Sequence, residues 1–577
     1  PVDDYVAYRQ SAAGGGFEVL SLTIEEVYNQ FNFGDPSPLA IKNLMTYAMA
    51  VGDPQYLFLI GKGTTVNFNY HRSSDASLTH YIPTYGYPGS DALFSVNHNS
   101  SSAHQVSTGR LNAFSAAQVR DYLNKVKEMD ALPYNALWRK NLIQLSGGIT
   151  PSELRVFEIY IRNFKSIAES DYLGGKAVNI NKGSTVDIAT INVADEVNAG
   201  VNMITFFGHS SNFVTDLEIG LASKPSDGYT NKGKYPIFLV NGCNAGEIFT
   251  KTETFGEDWI KTPDAGAVGF IANSDFALSS NLKRFSDLFY QFAFDNDETF
   301  GQSVGNLLKL TSQRYFDLYG SGGLSQSQVY QSLLQGDPAL KVFGATSPDY
   351  EILGSETFAT APNQERVLAN LDSFQVNLVV RNYGKGVDDS LKIEVQRTYN
   401  DGSVETFVRS FERIPRQDTV AFTIKNNGAL SSEGTNTFII RLDPENELNE
   451  LNENNNTANF TLFIPKGNTI PIYPIDFGTV SNNEISLVWQ SANQLEHNRT
   501  YSLEIDTTTR YNSAFRINES LTGGLLMKYD MDIGGLTDST TVYWRTRFAE
   551  AINNEDTNWV ESSFTLIQSQ PNGWSQV

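Results

Sequence analysis

The chain has 577 residues and carries 65 acidic against 42 basic side chains, a formal net charge of −23. This balance argues against nucleic acid and anionic membrane as main partners, because both attract basic patches. No apolar run approaches the roughly 18 residues of a membrane span, and the length predicts about four structural units.

Two further features of the chain restrict its class. It starts at Pro-Val-Asp-Asp without a signal-peptide pattern, so we expect a mature or trimmed fragment. Cys243 is its single cysteine, which excludes an intrachain disulfide framework and a cysteine metal cluster.

Residues 1–345 are predicted to form an α/β region, divided into subdomains 1–140 and 141–345. Its short, nearly continuous apolar runs are typical of a sheet that is buried on both faces. These runs are Gln55–Ile60, Val201–Phe207 and Pro236–Val240. The predicted helices between them are Pro38–Ala50, Ser115–Asp130, Ser152–Ala168 and Leu282–Phe294.

After Gly344 the pattern changes to alternating strands that are separated by Asn, Asp and Gly turns. Examples are Phe374–Asn382, Leu391–Tyr399 and Val404–Phe411. A Pro-rich linker, Ile464–Ile475, precedes further strands of the same kind. We therefore predict two all-β sandwiches, an adhesion-type (CARDB-like) one at 356–465 and an immunoglobulin- or fibronectin III-like one at 470–570.

The acidic, Asn-rich stretch Asp443–Asn456 offers the hard oxygen ligands that calcium prefers. Its spacing fits no EF-hand loop, because the glycine for the sharp turn is missing. We interpret the stretch as a solvated loop between strands, with a structural calcium site as the open alternative. No cofactor is expected.

Two predicted strands end in the same way, with a glycine and then a reactive side chain. Val201–Phe207 leads into Gly208-His209, and Pro236–Val240 leads into Asn241-Gly242-Cys243. Since the carboxyl ends of adjacent parallel strands share one edge, His209 and Cys243 are expected to face each other across a cleft.

This pair has the residue types of a thiol nucleophile and its general base. A neighbouring imidazole or a helix N-terminus favours the thiolate, and Gly246 onward is predicted to begin such a helix. The backbone N–H groups of Ser210 and Cys243, with Gly208 beside them, are candidates for an oxyanion hole.

The alternative is that Cys243 is a small buried apolar residue, which is common for a lone cysteine. The remaining histidines lack such a context and are interpreted as surface residues: His71, His80, His98, His104 and His497.

The sequence resembles the gingipain family of cysteine peptidases, in the caspase-like clan. The His209 and Cys243 blocks carry most of the likeness, which extends over about residues 1–345. Further similar segments are Tyr5–Arg9, Thr23–Gly34, Gln55–Gly61, Ile82–Tyr87 with Ser90-Asp91, Gly109-Arg110-Leu111 and Gln335–Leu340. The arrangement as a whole is similar to the PorU-like sortases of type IX secretion, from Gram-negative Bacteroidota.

The resemblance implies that Cys243 is the nucleophile and His209 its partner in a two-subdomain α/β fold. It also implies a cell-surface enzyme that cleaves C-terminal sorting domains from secreted proteins, with an outer-membrane β-barrel as a further partner. Asp91 is the preferred third catalytic residue, and Asp216 and Glu247 are the other candidates.

Two positions depart from the family pattern. Lys62 stands where the family usually has Asp, and Ser210 stands where it usually has Gly. These departures motivate an alternative, a catalytically silent scaffold that binds cargo. A general gingipain-like protease is a third hypothesis, although no carboxylate is identifiable as the base of a pocket for Arg or Lys.

Overall fold

A computed structural model of the chain describes residues 1–65, 81–97, 101–250, 252–362, 366–387, 389–426, 432–491, 498–552, 555–568 and 573–574. Within these ranges, no helix is both long enough and apolar enough to cross a membrane.

The α/β region contains the helices of the described chain. They are α1 Val2–Gln10, α2 Ile24–Phe31, α3 Pro38–Val51, α4 Ala116–Ala131, α5 Pro151–Ala168, α6 Ala194–Ala199, α7 Phe255–Lys261, α8 Ser279–Phe294, α9 Val304–Tyr319 and α10 Gly323–Gln331. The four helices predicted from sequence correspond to α3, α4, α5 and α8. Three of them begin at a side-chain cap, since Ser37, Ser115 and Thr150 each accept a backbone N–H at a helix start. Helix α8 has no such cap and begins at Ser279, before the predicted start.

Twelve described strands accompany these helices. They are β1 Tyr56–Ile60, β2 Gly63–Thr64, β3 Ile82–Pro83, β4 Ser107–Leu111, β5 Asn141–Ser146, β6 Lys176–Asn181, β7 Ala189–Thr190, β8 Met203–Phe207, β9 Leu217–Glu218, β10 Ile237–Asn241, β11 Gly269–Asn273 and β12 Ser332–Gln335.

Eight of these strands form one sheet in the order β1-β4-β12-β11-β10-β8-β5-β6. Every neighbouring pair is parallel except β11 and β12, so the sheet reverses direction once. The predicted subdomains 1–140 and 141–345 thus share this sheet, because β12 from the second pairs with β4 from the first. All residues of β8, β10 and β11 are buried, as expected for central parallel strands.

The C-terminal part of the chain is built from strands that enclose two separate cores. The first set is β13 Tyr350–Ile352, β14 Phe358–Thr360, β15 Ser373–Asn382, β16 Leu391–Thr398, β17 Val404–Phe411, β18 Gln417–Lys425, β19 Gly434–Leu442 and β20 Thr457–Ile464. The second is β21 Thr469–Tyr473, β22 Gly478–Val480, β23 Glu484–Ser491, β24 Arg499–Asp506, β25 Ile517–Gly523, β26 Leu526–Asp532, β27 Thr541–Phe548, β28 Val560–Leu566 and β29 Gly573–Trp574.

Each set forms two sheets whose inward residues alternate along the strands. The first core lies between β13-β15-β14, with β18 beside β15, and β17-β16-β19-β20. The second lies between β21-β23-β26 and β25-β24-β27-β28-β22-β29. The predicted fold class, an α/β region followed by β structure, is confirmed.

Candidate active site

The edge of the sheet where β8 and β10 end brings the two predicted reactive residues together. The strands are parallel neighbours, with Phe207 paired to Asn241 in the last register position. His209 and Cys243 each follow two residues later. The predicted adjacency of the two strand ends is therefore confirmed.

The turn that carries Cys243 is anchored to the chain after β11. Asn244 has a positive φ of 59°, and its N–H donates to the Asp275 carbonyl at 3.1 Å. The partly buried Cys243 Sγ lies 3.7 Å from the Ala277 carbonyl oxygen. The thiol is therefore held at the surface of the sheet edge and is in part open to solvent.

No helix follows Cys243 directly, so the predicted helix from Gly246 is wrong. The chain from Glu247 to Phe249 is irregular, and the next helix, α7, begins at Phe255. The Ile248 carbonyl accepts a hydrogen bond from Lys62 Nζ at 2.8 Å and another from Asn112 Nδ2 at 2.8 Å. Because these tertiary donors occupy it, this carbonyl takes no part in a helical turn, and the helix that was expected to follow Gly246 is absent beside the sulfur.

A side-chain hydrogen bond from Ser210 joins the turn that carries His209 to the turn that carries Cys243. Ser210 Oγ donates to the Cys243 carbonyl at 2.8 Å. Gly242 makes room for this contact, since a Cβ at that position would lie 2.1 Å from Ser210 Oγ. The serine that departs from the family pattern is thus the link between the two turns.

The backbone donors predicted for an oxyanion hole differ in their availability. Ser210 and Thr215 form an isolated antiparallel β-bridge. The hydrogen bonds of this bridge are made by the flanking residues: the Asp216 N–H donates to the His209 carbonyl, and the Ser211 N–H donates to the Val214 carbonyl. Within the described chain the N–H groups of Ser210 and Cys243 donate to no carbonyl, whereas Gly208 N–H donates to the Asn241 carbonyl at 3.0 Å. The Gly208 N–H is therefore used within the turn, whereas the N–H groups of Ser210 and Cys243 are available as donors to an oxyanion.

A carboxylate that the sequence analysis did not single out lies against the histidine. Glu153 Oε1 is 3.2 Å from His209 Nε2, and the two side chains are 30% and 45% exposed. Because Nε2 faces this carboxylate, the neutral ring presents Nδ1 as its free acceptor nitrogen. Glu153 therefore orients the imidazole.

Helix α5 holds Glu153 in place through its first turn. Glu153 and Thr150 form a capping box, in which Glu153 Oε2 accepts the N–H groups of Ile149 and Thr150, each at 3.0 Å. Burial raises the pKa of Glu153, but the hydrogen bonds from Ile149, His209 and Thr150 outweigh it and lower this pKa overall. The carboxylate is therefore charged at neutral pH.

A comparison with protein families decides the class of this chain. The model described as peptidase family C25 matches residues 1–343, more than half of the chain. The chain belongs to peptidase family C25. The expected gingipain family and the assignment as a cysteine peptidase are confirmed.

The solved structures to which this chain is similar include two from Porphyromonas gingivalis. The complex of RgpB pro- and mature domains matches 80% of this chain and 96% of its own, at 16% identity and a TM-score of 0.48. Dimeric latent PorU matches 99% of this chain and 53% of its own, at 12% identity and a TM-score of 0.31.

A shorter match comes from Pyrococcus furiosus. The CARDB domain of the PF1109 protein, in complex with di-metal ions, matches 21% of this chain and 96% of its own at 24% identity, with a TM-score of 0.16. No curated protein sequence matches this chain.

Asp91, the preferred third residue of this C25 peptidase from sequence, lies in a different environment. Arg110 donates to both of its carboxylate oxygens, each at 2.7 Å, and Thr84 Oγ1 donates to Oδ1 at 2.8 Å. This buried ion pair joins the segment after β3 to β4. The structure brings Glu153, rather than Asp91, to the His209 ring.

The other two candidates also do not contact the imidazole. Burial raises the pKa of Glu247, whose Oε1 accepts the Phe249 N–H at 3.1 Å. Asp216 lies under the His209 turn, where its N–H donates to the His209 carbonyl at 2.8 Å.

One of the remaining histidines is not where the sequence placed it. His104 is buried, since it faces Phe285, Leu308 and Ser312 around a small internal cavity. Burial lowers its pKa to about 4, so it is neutral. The prediction of a surface residue is wrong for His104, while His71, His80, His98 and His497 lie outside the described residues.

Some of the carboxylates in the stretch Asp443–Asn456 accept hydrogen bonds from backbone N–H groups. The Asp443 carboxylate accepts the N–H groups of Glu447 and Leu448, and Glu450 Oε2 accepts that of Tyr350. Across the described ranges, no group of three or more His, Cys, Asp or Glu side chains is arranged to hold a metal ion. The interpretation as a solvated loop and the alternative of a structural calcium site both stay predictions.

Proposed function

We propose that this C25 peptidase is a sortase-type transpeptidase of type IX secretion at the surface of a Gram-negative bacterium. In this proposal it cleaves C-terminal sorting domains from secreted proteins and transfers the remaining chain to an amine or to water. The observation that carries the catalytic part is the Glu153–His209 pair beside the turn that is fastened to Cys243.

The reaction follows from the arrangement of donors and acceptors. His209 accepts the thiol proton, and the Cys243 sulfur attacks the peptide carbonyl carbon. The N–H groups of Ser210 and Cys243 hold the resulting oxyanion. His209 then gives its proton to the leaving amine, the C–N bond breaks, and a thioester with Cys243 remains.

The second half regenerates the thiol. An amine or a water molecule enters where the cleaved peptide left, and His209 removes its proton as it attacks the thioester. The charged Glu153 stabilises the imidazolium in both halves. An amine yields a new amide and water yields a carboxylic acid, so the entering nucleophile decides between transpeptidation and hydrolysis.

The test is a reaction with a secreted protein that carries a C-terminal sorting domain, in the presence of a small primary amine. Mass spectrometry should show loss of the sorting domain and an amide to the added amine, with neither product from a Cys243→Ala variant. Hydrolysis alone would indicate an endopeptidase. Cleavage of unrelated peptides after Arg or Lys would contradict the sortase role and support a general protease.

A further inference from the structure

Asp216 lies where the turn that carries His209 meets the turn that leads into Glu153. We infer that Asp216 is a positioning residue that fixes these two turns relative to each other, with the buried Lys182 as its counter-ion. This inference rests on the proposed catalytic use of His209 and deepens it.

The first set of contacts joins Asp216 to the histidine turn. Its N–H donates to the His209 carbonyl at 2.8 Å. A Cβ at Gly208 would lie 2.5 Å from Asp216 Oδ1. The glycine before the histidine is therefore needed to admit the carboxylate.

The second set joins the same carboxylate to the turn between β5 and α5. Asp216 Oδ2 accepts the Gly148 N–H at 2.6 Å. A Cβ at Gly147 would lie 1.8 Å from Oδ1, so this turn also needs a glycine to approach it. Two residues after Gly148, Thr150 caps α5 and begins the box that contains Glu153.

Lys182 supplies the charge that this buried carboxylate needs. Its Nζ lies 3.7 Å from Asp216 Oδ2, with the two side chains 0% and 4% exposed. Burial raises the pKa of Asp216, while the Gly148 N–H, Lys182 and His209 oppose this rise. Because a buried carboxylate without partners is costly, Asp216 depends on Lys182 and on the Gly148 N–H to keep its place between the two turns.

The contacts of Asp216 are with Gly148, Lys182 and the His209 backbone. Any effect of Asp216 on the reactivity of the thiol therefore acts through the positions of Glu153 and His209. A role limited to loop stability would lower folding stability without coupling to Glu153. A positioning role makes the effects of Asp216→Asn and Glu153→Gln on the reactivity of the thiol non-additive. Once the Glu153 charge is removed, aligning that side chain with His209 no longer changes the rate.

The experiment measures the rate at which iodoacetamide alkylates the full-length protein, followed by intact mass. Cys243 is the single cysteine, so each adduct reports this site. The variants are Asp216→Asn, Glu153→Gln, the double substitution, and His209→Ala as the reference for an unassisted thiol.

A matched control is Asp227→Asn. Asp227 also accepts one backbone N–H, that of Leu221 at 2.9 Å, and also pairs with one lysine, Lys224 at 3.3 Å. It lies beyond β9, outside the two turns. We expect its alkylation rate to stay within about two-fold of the unsubstituted protein.

We expect Asp216→Asn to slow alkylation by roughly five-fold or more, and the double variant to be within about two-fold of the slower single variant. An unchanged rate for folded Asp216→Asn, or independent effects that multiply in the double variant, would overturn the inference. So would a rate for the unsubstituted protein equal to that of His209→Ala.

Should Asp216→Asn fail to fold, Lys182→Gln takes its place. Removing Lys182 favours the neutral form of Asp216, so alkylation should slow in the same direction, and an unchanged rate would count against the inference. Alkylation needs no peptide substrate. A protein that cleaves no sorting domain but shows this coupling would refute the proposed function and leave the positioning role standing.

Discussion

Ser210 and Gly242 show how single residues set the distance between the turns that carry His209 and Cys243. The Ser210 hydroxyl donates to the Cys243 carbonyl, and the missing side chain at position 242 lets it approach. The sequence analysis noted Ser210 as a departure from the family, but a hydrogen bond across 33 residues of chain has no local signal.

Gly242→Ala should slow thiol alkylation of Cys243, because the new Cβ would lie 2.1 Å from Ser210 Oγ and 2.9 Å from Ser210 Cβ. Ser210→Gly in the same chain removes both contacts and should restore much of the rate. Ser210→Gly alone is the control. If the double variant is as slow as Gly242→Ala, the steric explanation is wrong.

Glu153→Gln should lower kcat by between about 10-fold and 100-fold with little change in KM, since the amide lacks the charge that stabilises the imidazolium. The partial exposure of Glu153 limits the loss. Steady-state kinetics on a cleaved sorting domain provides the measurement. Glu26→Gln, which alters the capping box of α2, is the control and should leave kcat unchanged.

Glu153 shows which part of the site could be predicted from the sequence and which part could not. Thr150 to Glu153 is a visible capping box, and the helix that follows was predicted within one residue. That motif explains Glu153 fully as a cap, so nothing local indicates its second contact with His209. Cys243 and His209 could be proposed from the sequence because each follows the end of a buried apolar strand.

At the scale of elements, local pattern and tertiary contact disagree after Cys243. The central strands were predictable because burial on both faces demands apolar runs. The residues from Gly246 to Phe249 have a helical pattern, but Lys62 and Asn112 hold the Ile248 carbonyl. Distant donors of this kind cannot be read from a short window of sequence.

A buried lysine of helix α4 contacts carbonyls at the end of helix α7 and should make stability depend on pH. Lys125 Nζ donates to the carbonyls of Trp259, Ile260 and Ala267, at 3.2, 2.9 and 3.2 Å. Burial lowers the pKa of Lys125 to about 7. Between that value and the ordinary lysine pKa of about 10.4, the unfolded chain binds more protons than the folded one, so this residue makes stability rise with pH.

Lys125→Met should therefore remove a pH-dependent contribution to the free energy of unfolding. We expect the stability of the unsubstituted protein, relative to the variant, to be greater at pH 9.5 than at pH 7.5, which lies within that window. Urea unfolding at the two pH values measures the difference. An equal difference at both values, or a smaller one at the higher pH, would contradict the assignment.

At the scale of the whole molecule, the first β set packs against the α/β region at the start of β5, away from the strand ends that lead to His209 and Cys243. Lys140 Nζ donates to the Pro415 carbonyl at 2.7 Å, and Arg416 donates to Asn141 Oδ1 at 2.8 Å. Gly386 N–H donates to the Tyr172 carbonyl at 2.7 Å. The change from α/β to β pattern near residue 345 was visible in the sequence, but these contacts, which join distant segments, were not.

Gly386→Val should weaken this contact, because a Cβ there would lie 1.8 Å from the Asp171 carbonyl oxygen. We expect calorimetry to show the α/β region and the first β set unfolding together in the unsubstituted protein and in separate transitions in the variant. Gly535→Val is the control, since a Cβ there meets no atom within 4 Å. A single transition that is unchanged in Gly386→Val would contradict the expectation that this contact couples the unfolding of the α/β region and the first β set.

The most direct test of the central claim is treatment of the folded protein with a peptidyl electrophile, followed by peptide mapping. We expect one adduct, on Cys243, which forms much more slowly in His209→Ala and at an intermediate rate in Glu153→Gln. A folded protein whose Cys243 stays unlabelled, or is labelled equally fast without His209, would contradict the proposed cysteine–histidine mechanism.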